Sequence, residues 1–149
     1  HGLRYLTFPW DDALDCVLFD GGGGNMVVRQ LAGFIDEALD AGDAVLVHSV
    51  QGTSRCVAAV AAYLMFKFGW GIQKAFEFVA SKRPDIAPNE GFMQQLHLLD
   101  RRLCAARFPT PEDITPADRV RHDEWAVEEM ALVHTFLNSQ PLVDSIAPP

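Results

Sequence analysis

The stretch AVLVHSVQGTSRCVAAVAAYLMFKF, residues 44–68, decides the fold. Residues 44–47 form a continuous apolar run that is too short for a helix, so they predict a strand buried on both faces. Residues 48–55 form a short polar loop. The segment 56–68 is apolar almost all round, which predicts a buried helix. A strand, a loop and a buried helix in succession indicate an α/β domain.

The loop between this strand and this helix has the features of an anion-binding site. The backbone N–H groups of such a loop and the N-terminus of the next helix point at one spot, which attracts phosphate above all. Arg55 lies where its guanidinium can hold two phosphate oxygens, and Gly52 allows the tight turn. A structural loop with a solvated Arg55 is the competing interpretation. The predicted phosphate-binding residues are Ser49, Val50, Gln51, Gly52, Thr53, Ser54 and Arg55.

Upstream of this unit, the pattern predicts a strand, a loop and a helix. Residues 3–8 predict a short strand, and residues 11–25 predict a loop. Four consecutive glycines in that loop, with no Gly-Lys-Ser/Thr after them, favour a flexible insertion over a phosphate cradle. Apolar residues at helical spacing predict a helix over 27–39, with Asn25 as its N-cap and Gly42 at its end.

Downstream, the pattern predicts three more helices. The first covers residues 72–81, and the second runs from about 90 to 106 with Asn89 as its cap. Residues 109–116 predict a linker. Residues 122–137 predict an amphipathic helix that either binds a partner or packs on the domain as a brace.

Composition and charge narrow the class of protein. The 149 residues make one domain, and 49% hydrophobic with 21% charged residues is typical of a globular protein. The net charge of −8 disfavours nucleic acid and anionic membranes as partners, and no apolar stretch predicts a transmembrane helix or signal peptide. Cys16, Cys56 and Cys104 are odd in number and lack C-x-x-C spacing. We therefore expect no disulfide framework, no metal site and a reducing, cytoplasmic compartment.

The loop and its surroundings resemble the dual-specificity phosphatases, a family within the cysteine-dependent phosphatases. Members of this superfamily carry His-Cys-x5-Arg-Ser/Thr between the strand and the helix, and this chain has VLVHSVQGTSRC at residues 45–56. The similarity continues through AAYLMFKFGW at 61–70 and KAFEFVASKRPDIAPNEGFMQQLHLLDRRL at 74–103. The resemblance implies an α/β fold with a central, mostly parallel sheet and helices on both sides.

The segment YLTFPWDD at residues 5–12 resembles the strand that leads to the family's general-acid loop. By this resemblance Asp12 stands at the position of the acid, and Asp11 and Asp15 are the alternatives. The resemblance covers about residues 3–106.

The resemblance also implies the domain organisation. A phosphatase-like domain covers residues 1–106, and residues 107–149 form an acidic linker with an amphipathic helix. The family's domain normally has a further N-terminal strand-and-helix layer that completes the sheet, so we expect that layer to be incomplete here. This favours a scaffold setting over a free-standing enzyme.

Two departures from the family's pattern bear on activity. The nucleophile position holds Ser49 instead of cysteine, and Cys56 stands where the family has serine or threonine. A thiol with a reference pKa of about 8.5 is ionised by a helix N-terminus and a nearby cation, whereas a serine hydroxyl needs a general base. His48 is adjacent, but side chains alternate along a strand, so it is expected to point away from the pocket.

The sequence leaves four interpretations open. The favoured one is a pseudophosphatase similar to the phosphoserine/threonine/tyrosine-interaction (STYX-like) proteins, which lack this cysteine. The second is an active tyrosine and serine/threonine phosphatase captured as a Cys→Ser substrate trap. In the third, Cys56 acts as the nucleophile, and in the fourth a structural protein reuses the fold. A phosphoprotein or another large protein is the expected partner, with a cytoskeletal or ciliary assembly as a weaker expectation, and no cofactor is expected.

Overall fold

A computed structural model describes residues 2–19 and 24–130, and helices dominate this part of the chain. The central helix is α2, which packs against the three helices α1, α3 and α4, while α5 packs against α3. The helices are α1 (Met26–Asp40), α2 (Arg55–Phe68), α3 (Ile72–Lys82), α4 (Glu90–Arg107) and α5 (Pro116–Asp123), with a 3-10 turn at Pro111–Asp113.

Helix α2 is buried because its sequence is apolar on nearly every side, as predicted. Ala58, Ala61 and Ala62 have no exposed surface, and their small side chains let the neighbouring helices approach α2 closely. Gly69 ends the helix with a φ of +73°, a conformation that suits glycine. None of the described helices is long and apolar enough to cross a membrane.

The end of α1 agrees with the sequence prediction, whereas its start does not. The end is as expected: Gly42 has a φ of +80°, and the N–H groups of Gly42 and Asp43 donate to carbonyls of the last helical turn, a Schellman motif. The prediction that the Asn25 side chain caps α1 is wrong. Asn25 has a φ of +52°, and its Oδ1 accepts a hydrogen bond from Arg102 Nε at 3.2 Å.

Neither of the two predicted strands belongs to a β-ladder in the residues that the structure describes. Residues 4–8 and 45–47 line one cavity of about 370 Å³, so they face this space and not a hydrogen-bonded neighbour. A strand needs such a neighbour to pair its backbone groups. Burial on both faces is also wrong for residues 44–47: Val45 packs against the core, whereas Leu46 is 84% exposed.

The C-terminal extension also differs from the prediction of one helix over residues 122–137. His122 lies in α5, Glu124 is extended, and a new helical segment covers residues 127–130. The Glu129 carboxylate accepts a hydrogen bond from Ala126 N at 3.2 Å, which caps the new segment and separates it from α5. The remainder of the predicted helix, and the glycine-rich insertion at residues 20–23, lie outside the described residues.

A buried cation fastens the extension to α3. The Lys74 side chain has no exposed surface, and its Nζ lies 5.0 Å from the ring centroids of both Trp70 and Trp125. The same Nζ donates to Glu129 Oε2 at 2.7 Å and to the Arg121 carbonyl at 2.9 Å. Because these contacts satisfy the ammonium group only when the extension is docked, the described part of the extension is a brace on the domain.

Replacing this cation tests the brace. We expect Lys74→Met to lower the free energy of unfolding by about 3 kcal/mol, since the Lys74 side chain is fully buried and its removal leaves the Glu129 carboxylate without a cation. Lys67→Met is the matched control because Lys67 pairs with Asp36 at the surface, where such a pair contributes about 0–1 kcal/mol. Urea unfolding followed by circular dichroism measures both. Equal losses in the two variants would contradict the brace.

Candidate functional site

The polar loop bends sharply from the extended segment into α2, and Gly52 makes the bend feasible. Gly52 has a φ of +72°, and a Cβ built on it would lie 3.2 Å from the Arg83 guanidinium nitrogens. Any other residue would therefore strain the backbone and push Arg83 away. Helix α2 begins at Arg55, directly after the bend, so the loop ends at a helix N-terminus as predicted.

The segment before α4 holds the loop in place. The Thr53 carbonyl accepts a hydrogen bond from Ala87 N at 2.8 Å, and Ser54 Oγ accepts one from Asn89 N at 3.1 Å. Asn89 Oδ1 also accepts from Phe92 N at 2.9 Å, which confirms the predicted cap of α4. The cap of α4 and the loop before α2 are therefore parts of one hydrogen-bonded unit.

Asp12 joins the same unit. Its Oδ1 accepts hydrogen bonds from Ser54 Oγ at 2.7 Å and from Asn89 Nδ2 at 2.9 Å. These two hydrogen bonds lower the pKa of Asp12 below its ordinary value of 3.8. The bond from Ser54 has the largest effect, and the charge of Arg55 lowers the pKa further. The side chain is therefore a carboxylate at neutral pH, whereas a general acid must carry a proton.

The segment that carries Asp12 is anchored on α4. Gln95 pairs with the backbone on both sides of Val17: its Nε2 donates to the Cys16 carbonyl and its Oε1 accepts from Leu18 N, each at 2.8 Å. Gly91 allows the Leu14 carbonyl to lie against the first turn of α4, because a Cβ there would collide with that carbonyl. The alternatives Asp11 and Asp15 are exposed, and no side-chain hydrogen bond joins either to the loop among the described residues.

Arg55 links the loop to the same segment. Its Nη1 donates to the Trp10 carbonyl at 3.2 Å, and Trp10 stacks on Phe8 with ring centroids 4.8 Å apart. Of its guanidinium nitrogens, only Nη1 is used by the described residues, so the fork retains donors for an anion.

The nucleophile position opens onto the cavity. Ser49 is half-buried and lines the cavity together with Val50, Arg55 and Cys56. His48 lines the same cavity, contrary to the expectation that it is directed away from it. Cys56 is the second residue of α2. The structure therefore brings Ser49, Arg55 and Cys56 to one space, while Asp12 contacts Ser54.

Sequence reasoning missed two residues at this site. Asn89 was expected mainly as a helix cap, yet its side-chain amide also donates to Asp12. Arg83 packs across Gly52 and donates to Asp85 at 3.3 Å. The signal for both was the stretch RPDIAPN at residues 83–89, which the resemblance marks without assigning a role to each residue.

The chain matches known phosphatases over the loop and the helices around it. The family model "Dual specificity phosphatase, catalytic domain" matches residues 25–102, just over half of the chain. Dual specificity protein phosphatase 1B of Arabidopsis thaliana is 47% identical over 70 residues, which cover 47% of this chain and 42% of that protein. Dual specificity protein phosphatase 6 of Mus musculus is 42% identical over 84 residues, which cover 53% of this chain and 22% of that protein.

A solved structure agrees with these matches. The crystal structure of a variant of human DUSP28 superposes with a TM-score of 0.56 at 35% sequence identity, covering 66% of this chain and 63% of that chain. The chain thus spans less than half the length of the two curated relatives. The predicted dual-specificity phosphatase fold is confirmed by these similarities.

The hydrogen bond from Ser54 to Asp12 makes a prediction about charge. Ser54→Ala removes the largest cause of the lowered pKa, so we expect the pKa of Asp12 to rise toward 3.8. The lowered pKa stabilises the fold above pH 3.8, and this stability is lost as the pH falls through the lowered value, so the variant loses less stability in acid. Carbon-detected NMR titration of the Asp12 carboxyl measures the shift.

Ser81→Ala is the control for this titration. Its hydroxyl donates to the Phe78 carbonyl at 2.6 Å and does not contact Asp12. An Asp12 pKa that is the same in the Ser54→Ala variant as in the unmutated chain would show that the hydrogen bond does not set its charge.

Proposed function

The chain belongs to the dual-specificity phosphatase family, and on this premise we propose that it is a pseudophosphatase, a module that binds phosphorylated protein through residues 49–55 without hydrolysing the phosphate. The family's activity is the hydrolysis of phosphomonoesters. The proposal separates the two halves of that activity, so that phosphate binding is retained and bond cleavage is lost.

The identity of residue 49 carries the proposal. A thiolate attacks phosphorus readily because a helix N-terminus and a cation hold it ionised near neutral pH. Ser49 stands at this position, and its hydroxyl is far harder to ionise. No carboxylate or imidazole in the described residues is hydrogen-bonded to it, so none of them is positioned as a general base for this hydroxyl. Ser49 is therefore expected to contact phosphate without attacking it.

The state of Asp12 supports the same conclusion. Departure of the leaving oxygen requires a proton, yet Asp12 holds its charge between two hydrogen-bond donors. Anion binding is better supported than phosphate hydrolysis. Gly52 allows the sharp bend of the loop, α2 begins at Arg55, and the Arg55 guanidinium has hydrogen-bond donors left for an anion. These features form an anion site at neutral pH.

The runner-up is an active protein phosphatase captured with serine in place of the catalytic cysteine. One observation favours it: Asp12, Ser54 and Asn89 form a complete hydrogen-bonded arrangement beside the loop. A bound phosphate dianion would raise the pKa of Asp12 by like-charge repulsion, which would favour the protonated form that a general acid needs. A purely structural protein is a third reading, in which the loop binds no anion.

The proposed partner is a phosphoprotein or another large protein in the cytoplasm. The net charge of −8 and the free thiols of Cys16, Cys56 and Cys104 support this setting. Attachment to a cytoskeletal or ciliary assembly is the weaker part of the proposal.

Anion binding is tested by thermal stability. An anion held by the loop stabilises the fold by RT ln(1 + [L]/Kd), so a concentration near 100 Kd adds roughly 2.7 kcal/mol. Phosphate, sulfate or vanadate is therefore expected to raise the Tm. Arg55→Ala should abolish the rise, and Arg55→Lys should keep part of it because a point charge cannot replace the planar fork.

Arg29→Ala is the matched control, since Arg29 is an exposed residue of α1 outside the loop, and its anion response should equal that of the unmutated chain. A Tm that none of the three anions changes would favour the structural reading.

Turnover tests whether the chain with Ser49 in place hydrolyses a phosphate ester. Hydrolysis of an aryl phosphate at neutral pH should not exceed the buffer control. Ser49→Cys should restore measurable turnover, and adding Asp12→Asn to it should reduce that turnover by about 10²–10⁴-fold if Asp12 is the acid. Turnover in the unmutated chain that Cys56→Ser abolishes would instead identify Cys56 as the nucleophile.

A further inference from the structure

We propose that Asp100, Cys104 and His122 bind one divalent metal ion of the zinc class, which fastens the C-terminal extension to α4. Asp100 and Cys104 are four residues apart, so they lie on the same face of α4. His122 comes from α5. One carboxylate oxygen, the thiol sulfur and one imidazole nitrogen lie within 4.8 Å of one another.

The distances between these atoms fit a single tetrahedral ion. His122 Nε2 lies 3.0 Å from Asp100 Oδ1, and Cys104 Sγ lies 3.7 Å from the same oxygen. Zinc bonds of about 2.0–2.3 Å in a tetrahedral site place neighbouring ligand atoms about 3.3–3.6 Å apart. These two distances lie within a few tenths of an ångström of that spacing, and the Cys104 and His122 ligand atoms lie within 4.8 Å of each other.

Two of the three ligands, His122 and Asp100, also have an outer partner that orients them. His122 Nδ1 is hydrogen-bonded to Asp123 Oδ1 at 2.5 Å, which leaves Nε2 directed at the cluster. Asp100 Oδ2 accepts a hydrogen bond from Ile72 N at 3.3 Å, which leaves Oδ1 directed at the same point. Outer partners of this kind fix the ring orientation and raise the affinity of metal sites.

Gly71 leaves room for the imidazole ring of His122, because it has no side chain. A Cβ built on Gly71 would lie 2.5 Å from His122 Cε1, so the ring rests directly on the glycine backbone. Gly71 N also donates to the His122 carbonyl at 2.8 Å. The start of α3 therefore holds both the backbone and the ring of His122, and the ligand from α5 is fixed before any ion arrives.

The donor set selects the class of metal. A thiolate, an imidazole and a carboxylate suit Zn²⁺ and its analogue Co²⁺, whereas Mg²⁺ and Ca²⁺ prefer oxygen ligands alone. Three protein ligands leave the fourth position for water. The site lies beside the contacts of Lys74 with the extension, so an ion there would strengthen the same attachment.

Cobalt titration of the full chain tests the proposal. We expect one Co²⁺ per chain, with the thiolate-to-cobalt absorption of a sulfur ligand, and stoichiometric displacement by Zn²⁺. Cys104→Ser should abolish that absorption, and Asp123→Asn should weaken binding about 10–100-fold. Cys16→Ser, which removes a thiol elsewhere, should leave the titration unchanged.

A second measurement needs no substitution. In the unmutated chain, Zn²⁺ should slow the alkylation of Cys104, because a thiolate bound to the ion is no longer free to react, while Cys56 reacts as before. Peptide mass spectrometry reads each cysteine separately. The proposal is overturned if no sulfur-to-cobalt absorption forms, if Cys104→Ser retains it, or if Zn²⁺ protects Cys56 and Cys104 equally.

Discussion

The candidate site depends on the two hydrogen bonds of the Ser54 hydroxyl. It donates to Asp12 and accepts from Asn89 N, so a single oxygen joins the upstream segment, the loop and the N-terminus of α4. Ser54 is only 3% exposed, and a buried hydroxyl without these partners would cost about 1–3 kcal/mol. The loop conformation, the cap of α4 and the charge of Asp12 therefore depend on one another.

This coupling bears on the proposal that the site binds an anion without cleaving the phosphate ester. The hydrogen bonds that shape the loop also lower the pKa of Asp12, the one from Ser54 most, so they favour its carboxylate form over the protonated form that a general acid needs. Ser49 stands where the family has its ionised nucleophile, and its hydroxyl is far harder to ionise. Both features support the proposal that this dual-specificity phosphatase domain binds an anion without hydrolysing it.

Helices and the loop were predictable because their signals are local. The apolar composition of α2, the Asn89 cap and the glycine at the end of α1 each act within a few residues. The predicted Asn25 cap was wrong because the Asn25 side chain instead accepts a hydrogen bond from Arg102, which lies 77 residues away in the sequence. The prediction of two strands was wrong for the described residues, because a strand needs a neighbouring strand to pair with, and local sequence does not specify that neighbour. Asp12 required the family resemblance, and the proximity of Cys104 to His122 arises only when α5 packs on the domain.

Phosphorus NMR of an aryl phosphate mixed with the protein at neutral pH tests the central claim most directly, since it observes binding and hydrolysis in one sample. The account predicts that the ester resonance broadens or shifts in proportion to protein, that added vanadate reverses this effect, and that inorganic phosphate does not accumulate. An inorganic phosphate signal that grows at a rate proportional to protein concentration would contradict it, as would an ester resonance that the protein leaves unchanged.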